Sequence, residues 1–425
     1  MKRVQSGLIP LHIHSHKRRY IIVITVLFIT GAAFIGCSNL EIQLSQETGM
    51  ATSAWHEEDL ADIPMIGDDY LLQPNSHWEP FKIYREVRGI YMTGNTAGLQ
   101  WRFEQILEET NNSIINAWVV DVKDDHGTMT YVSGIPLVKE FGQDERVKVR
   151  DFQSVIDVMR ENNIYPIARI VTFKDVIATA GKPEWAIQTH EGNVWRDRKQ
   201  DAWLNPYNRE AWDYLVDIAK EAATKGFYEI QYDYVRFPTD GPREQIDYGV
   251  AGEEETMAEA IAAFLAYARD ELKPYGVYVS ADIFGLVPIV VDDMRLGQHL
   301  ETLATATDVL CPMAYPSHYA LGTFGIGVPD LAPYPIIFET MVKAVERINA
   351  VETEKTKAVL RPWLQDFTAS YLGRGYYQRY GVEQVQEQIQ ATYDSGVNEW
   401  LLWNAGNNYT WEALREGSAP SPQSE

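Results

Sequence analysis

The sequence predicts an α/β fold, a closed (β/α)8 TIM barrel, and three observations predict it. Eight short runs rich in β-formers recur along the chain, at residues 89–93, 117–123, 165–172, 229–237, 277–284, 308–315, 358–365 and 399–404. Stretches with apolar residues at helical spacing lie between them, at 101–110, 152–162, 209–225, 256–272, 338–348 and 382–395. No G-x-G-x-x-G turn follows the first run, which disfavours an open doubly wound sheet and leaves the barrel as the way to bury eight parallel strands. Helix ends are marked as well. Lys225-Gly226 and Ser395-Gly396 place glycine just past a last turn, where a left-handed residue closes a helix.

The barrel is expected to occupy residues 85–415, and what flanks it differs in composition. Residues 1–36 carry Lys2, Arg3, Lys17, Arg18 and Arg19, no acidic residue, and an apolar run from 20 to 36, the pattern of an export signal. The run ends Phe34-Ile35-Gly36-Cys37 and resembles the bacterial lipobox, with Phe34 where that pattern usually has Leu. The resemblance implies cleavage before Cys37, lipidation of its thiol and an extracytoplasmic, membrane-anchored mature chain. The other reading of the same run is a short transmembrane anchor. Residues 37–84 are acidic and polar with scattered prolines, a tether and N-terminal extension, and 416–425 read as a disordered tail.

Charge excludes one class of partner. Removing the five basic leader residues leaves 32 basic against 60 acidic side chains, a net charge of −28 in place of −23. Such a surface repels phosphate backbones, so nucleic acid is not an expected partner. With Cys37 lipidated, Cys311 has no disulfide partner, and its place in an apolar run predicts a buried thiol. No P-loop, G-x-S-x-G elbow or H-E-x-x-H occurs and no cofactor is expected; Asp124 and Asp125, ahead of His126 and Gly127, read as a solvated turn rather than a metal site.

In a TIM barrel the chemistry sits at the C-terminal strand ends. Those ends carry Tyr91 on strand one; Asp121 and Lys123 on strand two; Asp233 and Arg236 on strand four; Asp282 on strand five; Tyr315 after strand six; Trp363 and Gln365 on strand seven; and Trp403 and Asn404 on strand eight. Strand alternation sharpens the set. In strand four Gln231, Asp233 and Val235 share one face and Ile230, Tyr232 and Tyr234 the bulkier one, so Asp233 should point inward. In strand five Ser280 and Asp282 point inward by the same reasoning, and in strand seven Arg361, Trp363 and Gln365 oppose Asp366. Asp121 and Lys123 share a face and would meet the substrate or each other. Two inward carboxyls on neighbouring strands are what glycoside hydrolysis requires, one protonated and one ionised.

Arg88-Gly89-Ile90-Tyr91, Asp121-Val122-Lys123-Asp124, Gln231 to Pro238 and Asp282-Ile283-Phe284-Gly285 together resemble a bacterial family of glycoside-hydrolase-like barrels first catalogued as a domain of unknown function. The similarity runs from about Arg85 to Glu412. It implies a barrel related to the alpha-amylase and alpha-galactosidase groups, with Asp233 as nucleophile and Asp282 in the place of the acid. The amylase-like groups have Glu at that second place. An extracellular or cell-wall polysaccharide is then the expected substrate. Tyr91, Asp121, Lys123, Arg236, Tyr315, Trp363, Gln365, Trp403 and Asn404 would contact it, the tryptophans as stacking platforms. The competing expectation is a surface glycan-binding lipoprotein on a barrel without turnover, marked by carboxyls buried against arginines.

Overall fold

The structure, a computed structural model, describes residues 86–422. The leader, Cys37 and the tether at 37–84 lie outside the described residues. The expected tail is described as far as 422, where the Ser418 carbonyl accepts a hydrogen bond from Gln386 Nε2.

Eight parallel strands close on themselves. They are β1 (Arg88–Met92), β2 (Ala117–Lys123), β3 (Tyr165–Val171), β4 (Glu229–Asp233), β5 (Tyr278–Phe284), β6 (Val309–Met313), β7 in two pieces (Val359–Leu360 and Trp363–Gln365) and β8 (Trp400–Trp403). Each pairs with its sequence neighbour, and β8 returns to β1 through Arg88↔Trp400 to Ile90↔Leu402. The break in β7 falls at Arg361-Pro362, because proline has no N–H to give a ladder.

The main helices are α1 (Gln100–Asn111), α2 (Phe152–Glu161), α3 (Arg209–Lys225), α4 (Met257–Leu272), α5 (Leu300–Leu303), α6 (Pro333–Asn349) and α7 (Val382–Asp394). Side-chain caps start several of them. Asp151 accepts from Ser154 N, Asn208 from Ala211 N, and Thr256 forms a reciprocal capping box with Glu259. Gly226 closes α3 at φ 110°, as its place in the sequence requires. Helix α6 begins at Pro333, ahead of the expected residue 338, since proline is tolerated in a first turn where its missing N–H has no partner to lose. After β5 the connecting helix is a single turn, and after β8 only a 3-10 turn at Trp411–Ala413 remains.

Alternation along the strands sorts two apolar layers. Trp118, Val120 and Val122 of β2, Ala168 and Ile170 of β3 and Ile230 and Tyr232 of β4 pack outward against the helices. Ala117, Val119, Tyr165, Ile167, Val309, Cys311 and Leu401 fill the barrel interior. Cys311 is fully buried, and burial pushes its thiol well above the usual range. Below these residues lies an ionic floor, with Arg361 Nη1 2.7 Å from Glu229 and Nε 2.6 Å from Glu399. Among the described residues no helix is long and apolar enough to cross a membrane.

Candidate active site

A cavity of about 390 Å³ opens at the C-terminal strand ends, within the range of small-molecule sites. It is lined by Asp233, Asp282, Arg236, Tyr315, Trp363 and Trp403, six of the residues read from the sequence, together with Arg169, Asp125, Tyr234 and Phe284. Tyr91 and Asp121 line an adjoining recess that shares Arg169 and Trp403 with it.

The two inward carboxyls stand in different environments. Asp233 ends β4, and its Oδ2 accepts from Arg169 Nε at 2.9 Å and Nη2 at 2.6 Å. Its Oδ1 accepts from the Tyr234 backbone N–H at 2.6 Å. Asp282 on β5 is only 2% exposed and accepts from Trp363 Nε1 at 2.7 Å. Burial, and then the charge of Asp233, push its carboxyl well above the usual carboxylate range. Among the described residues no cation lies within 4.0 Å of Asp282. One carboxyl is therefore paired with a guanidinium, and the other is buried with no cation within 4.0 Å among the described residues, which favours its protonated form.

Arg169 is the organising residue that the reading of strand ends passed over. It sits inward on β3 in line with Tyr165 and Ile167 and joins Asp121 Oδ1 at 2.7 Å, Asp125 at 3.1 Å and Asp233 at 2.6 Å. An arginine on the inward parity of an otherwise apolar strand was the available signal. Tyr91 donates to Asp121 Oδ2 at 2.7 Å and stacks on Trp403 with ring centroids 4.2 Å apart. For Asp121, burial outweighs Arg169 and raises its carboxyl; for Asp125, burial acts upward but Arg169 prevails and lowers it. The Asp124 side chain closes its own turn, accepting from His126 N and Thr128 N.

Parity fails just past Asp233, and this corrects the reading of strand four. Tyr234 has φ 51°, a left-handed conformation that costs free energy in a non-glycine residue. The strand stops there rather than at 237. Tyr234 turns into the cavity instead of toward the helices, and Val235 joins the outer core instead.

Four further expectations are corrected. Lys123 is fully buried outside the cavity, with Nζ 2.7 Å from Asp175, because a register shift between Asp121 and Lys123 puts the two on opposite sides of β2. Gln365 is spent on fastening loops: its Oε1 accepts from Ser317 N and its Nε2 donates to Asp330 and to the Phe367 carbonyl. Asn404 donates to the Asp366 and Asn408 carbonyls and accepts from Gly406 N, so its amide holds the loop after β8 rather than a sugar. Trp363 is buried and holds Asp282 by its indole N–H, which makes it a support for a carboxyl and not a stacking face.

Among curated proteins, none matches this chain. A hypothetical protein from Ruminiclostridium thermocellum is 42% identical over 45% of this chain and 96% of its own, with a TM-score of 0.42. The PgaB (BpsB) glycoside hydrolase domain from Bordetella bronchiseptica is 12% identical, covers 79% of this chain and 99% of its own, and superposes with a TM-score of 0.57, a likeness of fold. An alpha-galactosidase from Thermus thermophilus is 10% identical over 80% of this chain and 61% of its own, with a TM-score of 0.47. The family described as "Putative glycosyl hydrolase domain" matches residues 89–409, the whole barrel from β1 to the loop beyond β8, and the chain belongs to that family.

Proposed function

We propose that this protein is a glycoside hydrolase acting on an extracellular or cell-wall polysaccharide, with Asp233 as the ionised carboxylate and Asp282 as the general acid. The observation that carries the reading is the split environment of two carboxyls on one cavity: Asp233 lies under Arg169, while Asp282 is buried without a cation and bonded to Trp363. That split assigns roles, since the proton resides on the group whose anion is least stabilised. In the reaction Asp282 gives its proton to the glycosidic oxygen, and the bond from that oxygen to the anomeric carbon breaks. Asp233 meets the positive charge that develops on the carbon, by direct attack or by taking a proton from an attacking water. Its Oδ1 accepts only the Tyr234 N–H among the described residues, so lone-pair capacity remains there.

The second reading, a glycan-binding module without turnover, draws on the grip of Arg169 on Asp233. Release of reducing ends from a polysaccharide panel separates the two. Asp233→Asn should lower that release by about 10³–10⁴-fold with an unchanged melting profile; full activity in the variant sinks the assignment, and binding without product from the parent protein favours the module. The leader and Cys37 support export and lipid anchoring. Cys37→Ser should move the mature protein from the membrane fraction to the soluble one.

A further inference from the structure

Arg236 sits in the same cavity under quite different conditions from Arg169. It is 8% exposed, yet among the described residues no carboxylate lies within 4.0 Å of its guanidinium. Of its five N–H donors the structure gives one a partner, Nη1 to the Phe237 carbonyl at 3.0 Å. Aromatic rings supply the rest of its surroundings: its Cζ lies 5.0 Å from the centroids of Trp203 and Tyr234 and 4.8 Å from that of Phe284. The nearby acid Asp197 is already committed to Trp203 Nε1, Lys199 N and Asp201 N. Asp233, and after it Asp240, act on Arg236 only through their fields.

A buried cation without an anion is costly, and ring faces offset only part of that cost. Here three rings surround the guanidinium, and the residue lines the cavity. A guanidinium so held is a preformed fork for a planar anion. The position is specific too: Arg236 follows Asp233 by three residues and Phe284 follows Asp282 by two, so the fork flanks the carboxyl pair. The other guanidinium lining the cavity, Arg169, is already committed to three aspartates, so Arg236 is the one open to an acidic sugar among the described residues.

Resting on the hydrolase reading of this cavity, we propose that the glycan it takes is acidic, with a sugar carboxylate bound by Arg236 as the specificity-determining contact. The test uses the full chain carrying Asp282→Asn, so that binding is read without turnover, against a panel of polysaccharides each in its native uronate form and with its carboxyls reduced to alcohols, plus sulfated members. Carboxylated forms should bind about tenfold to a hundredfold more tightly than their reduced partners, the range of a charge-assisted pair. Arg236→Gln should bring that ratio close to one, and Arg236→Lys should restore part of it. Melting temperatures of the variants should change little, since the arginine has no carboxylate within 4.0 Å among the described residues and the Phe237 carbonyl and the rings hold it only in part. Equal binding of both forms, a ratio that survives Arg236→Gln, or binding of sulfated members alone overturns the proposal. Product release by the parent protein is scored separately. Hydrolysis without acid preference removes this inference and leaves the hydrolase; acid preference without hydrolysis does the reverse.

Discussion

The two ends of the barrel interior each bury an arginine among carboxylates, but the charges balance differently. On the floor Arg361 is shared by Glu229 and Glu399, on the inward parity of β4 and beside β8. At the mouth Arg169 is shared by three aspartates, and a fourth, Asp282, is left on the cavity wall with no cation within reach among the described residues. On the floor both glutamates contact the one arginine, although Glu229 Oε2 is left without a hydrogen-bond partner. At the mouth Arg169 is committed to three aspartates, and burial away from it favours the protonated form of Asp282. The same chemistry of burial thus yields an ion network at one end and, at the other, a carboxyl whose protonated form is favoured, in keeping with the usual division of a TIM barrel between its two faces.

The comparison can be broken most sharply at Asp282. Asp282→Asn should lower turnover by about 10²–10⁴-fold, because an amide cannot give the proton. It should leave the protein as stable as before or more so by roughly 0.5–2 kcal/mol, the usual gain when a strained functional group is replaced. Turnover of the parent should fall on the alkaline side as Asp282 loses its proton, and a rate that keeps rising with pH would remove it from the acid's place. At the floor the effect should be the opposite in kind. Arg361→Met leaves Glu229 and Glu399 buried without a cation and should cost about 3–5 kcal/mol in denaturant unfolding, with turnover per folded molecule retained. Loss of turnover at full stability would erase the distinction between the ends.

Asp366 provides the smallest and most diagnostic contrast. Like Asp282 it is buried without a cation, but it does not line the cavity, and it accepts from Thr410 Oγ1 at 2.6 Å and Thr410 N at 2.8 Å. Burial pushes its carboxyl up to about 6. The folded chain therefore holds this proton more tightly than the unfolded one. The stability tied to it is fully present below about pH 4 and is lost as pH rises through about 6. Asp366→Asn should flatten that decline, by on the order of 1–3 kcal/mol, without changing turnover.

Much of this was legible before any coordinates. The eight strands fall at the runs rich in β-formers, with β4 stopping at Asp233 and β7 broken at Arg361-Pro362, and β2 and α3 match to the residue, because a face that must be buried repeats at the spacing of its element. Asp233 and Asp282 were legible as inward residues for the same reason. Arg169 was harder to see, since its importance comes from carboxylates 44 to 64 residues away in the chain. Lys123 and Tyr234 were misread where a register shift and a positive φ interrupt the alternation on which parity depends. Gln365 and Asn404 have the donors and acceptors a sugar needs, but loops reached them first.

The sequence by itself therefore determined the barrel, the end of it at which the candidate site lies and the two carboxyls that face inward, since each follows from local periodicity and strand order. Only the tertiary structure decided which carboxyl is paired with a guanidinium, which is buried away from one and which arginine is left without a carboxylate. Those outcomes depend on distances between strands and on the water each group has lost, and neither is written in the spacing of residues along one chain.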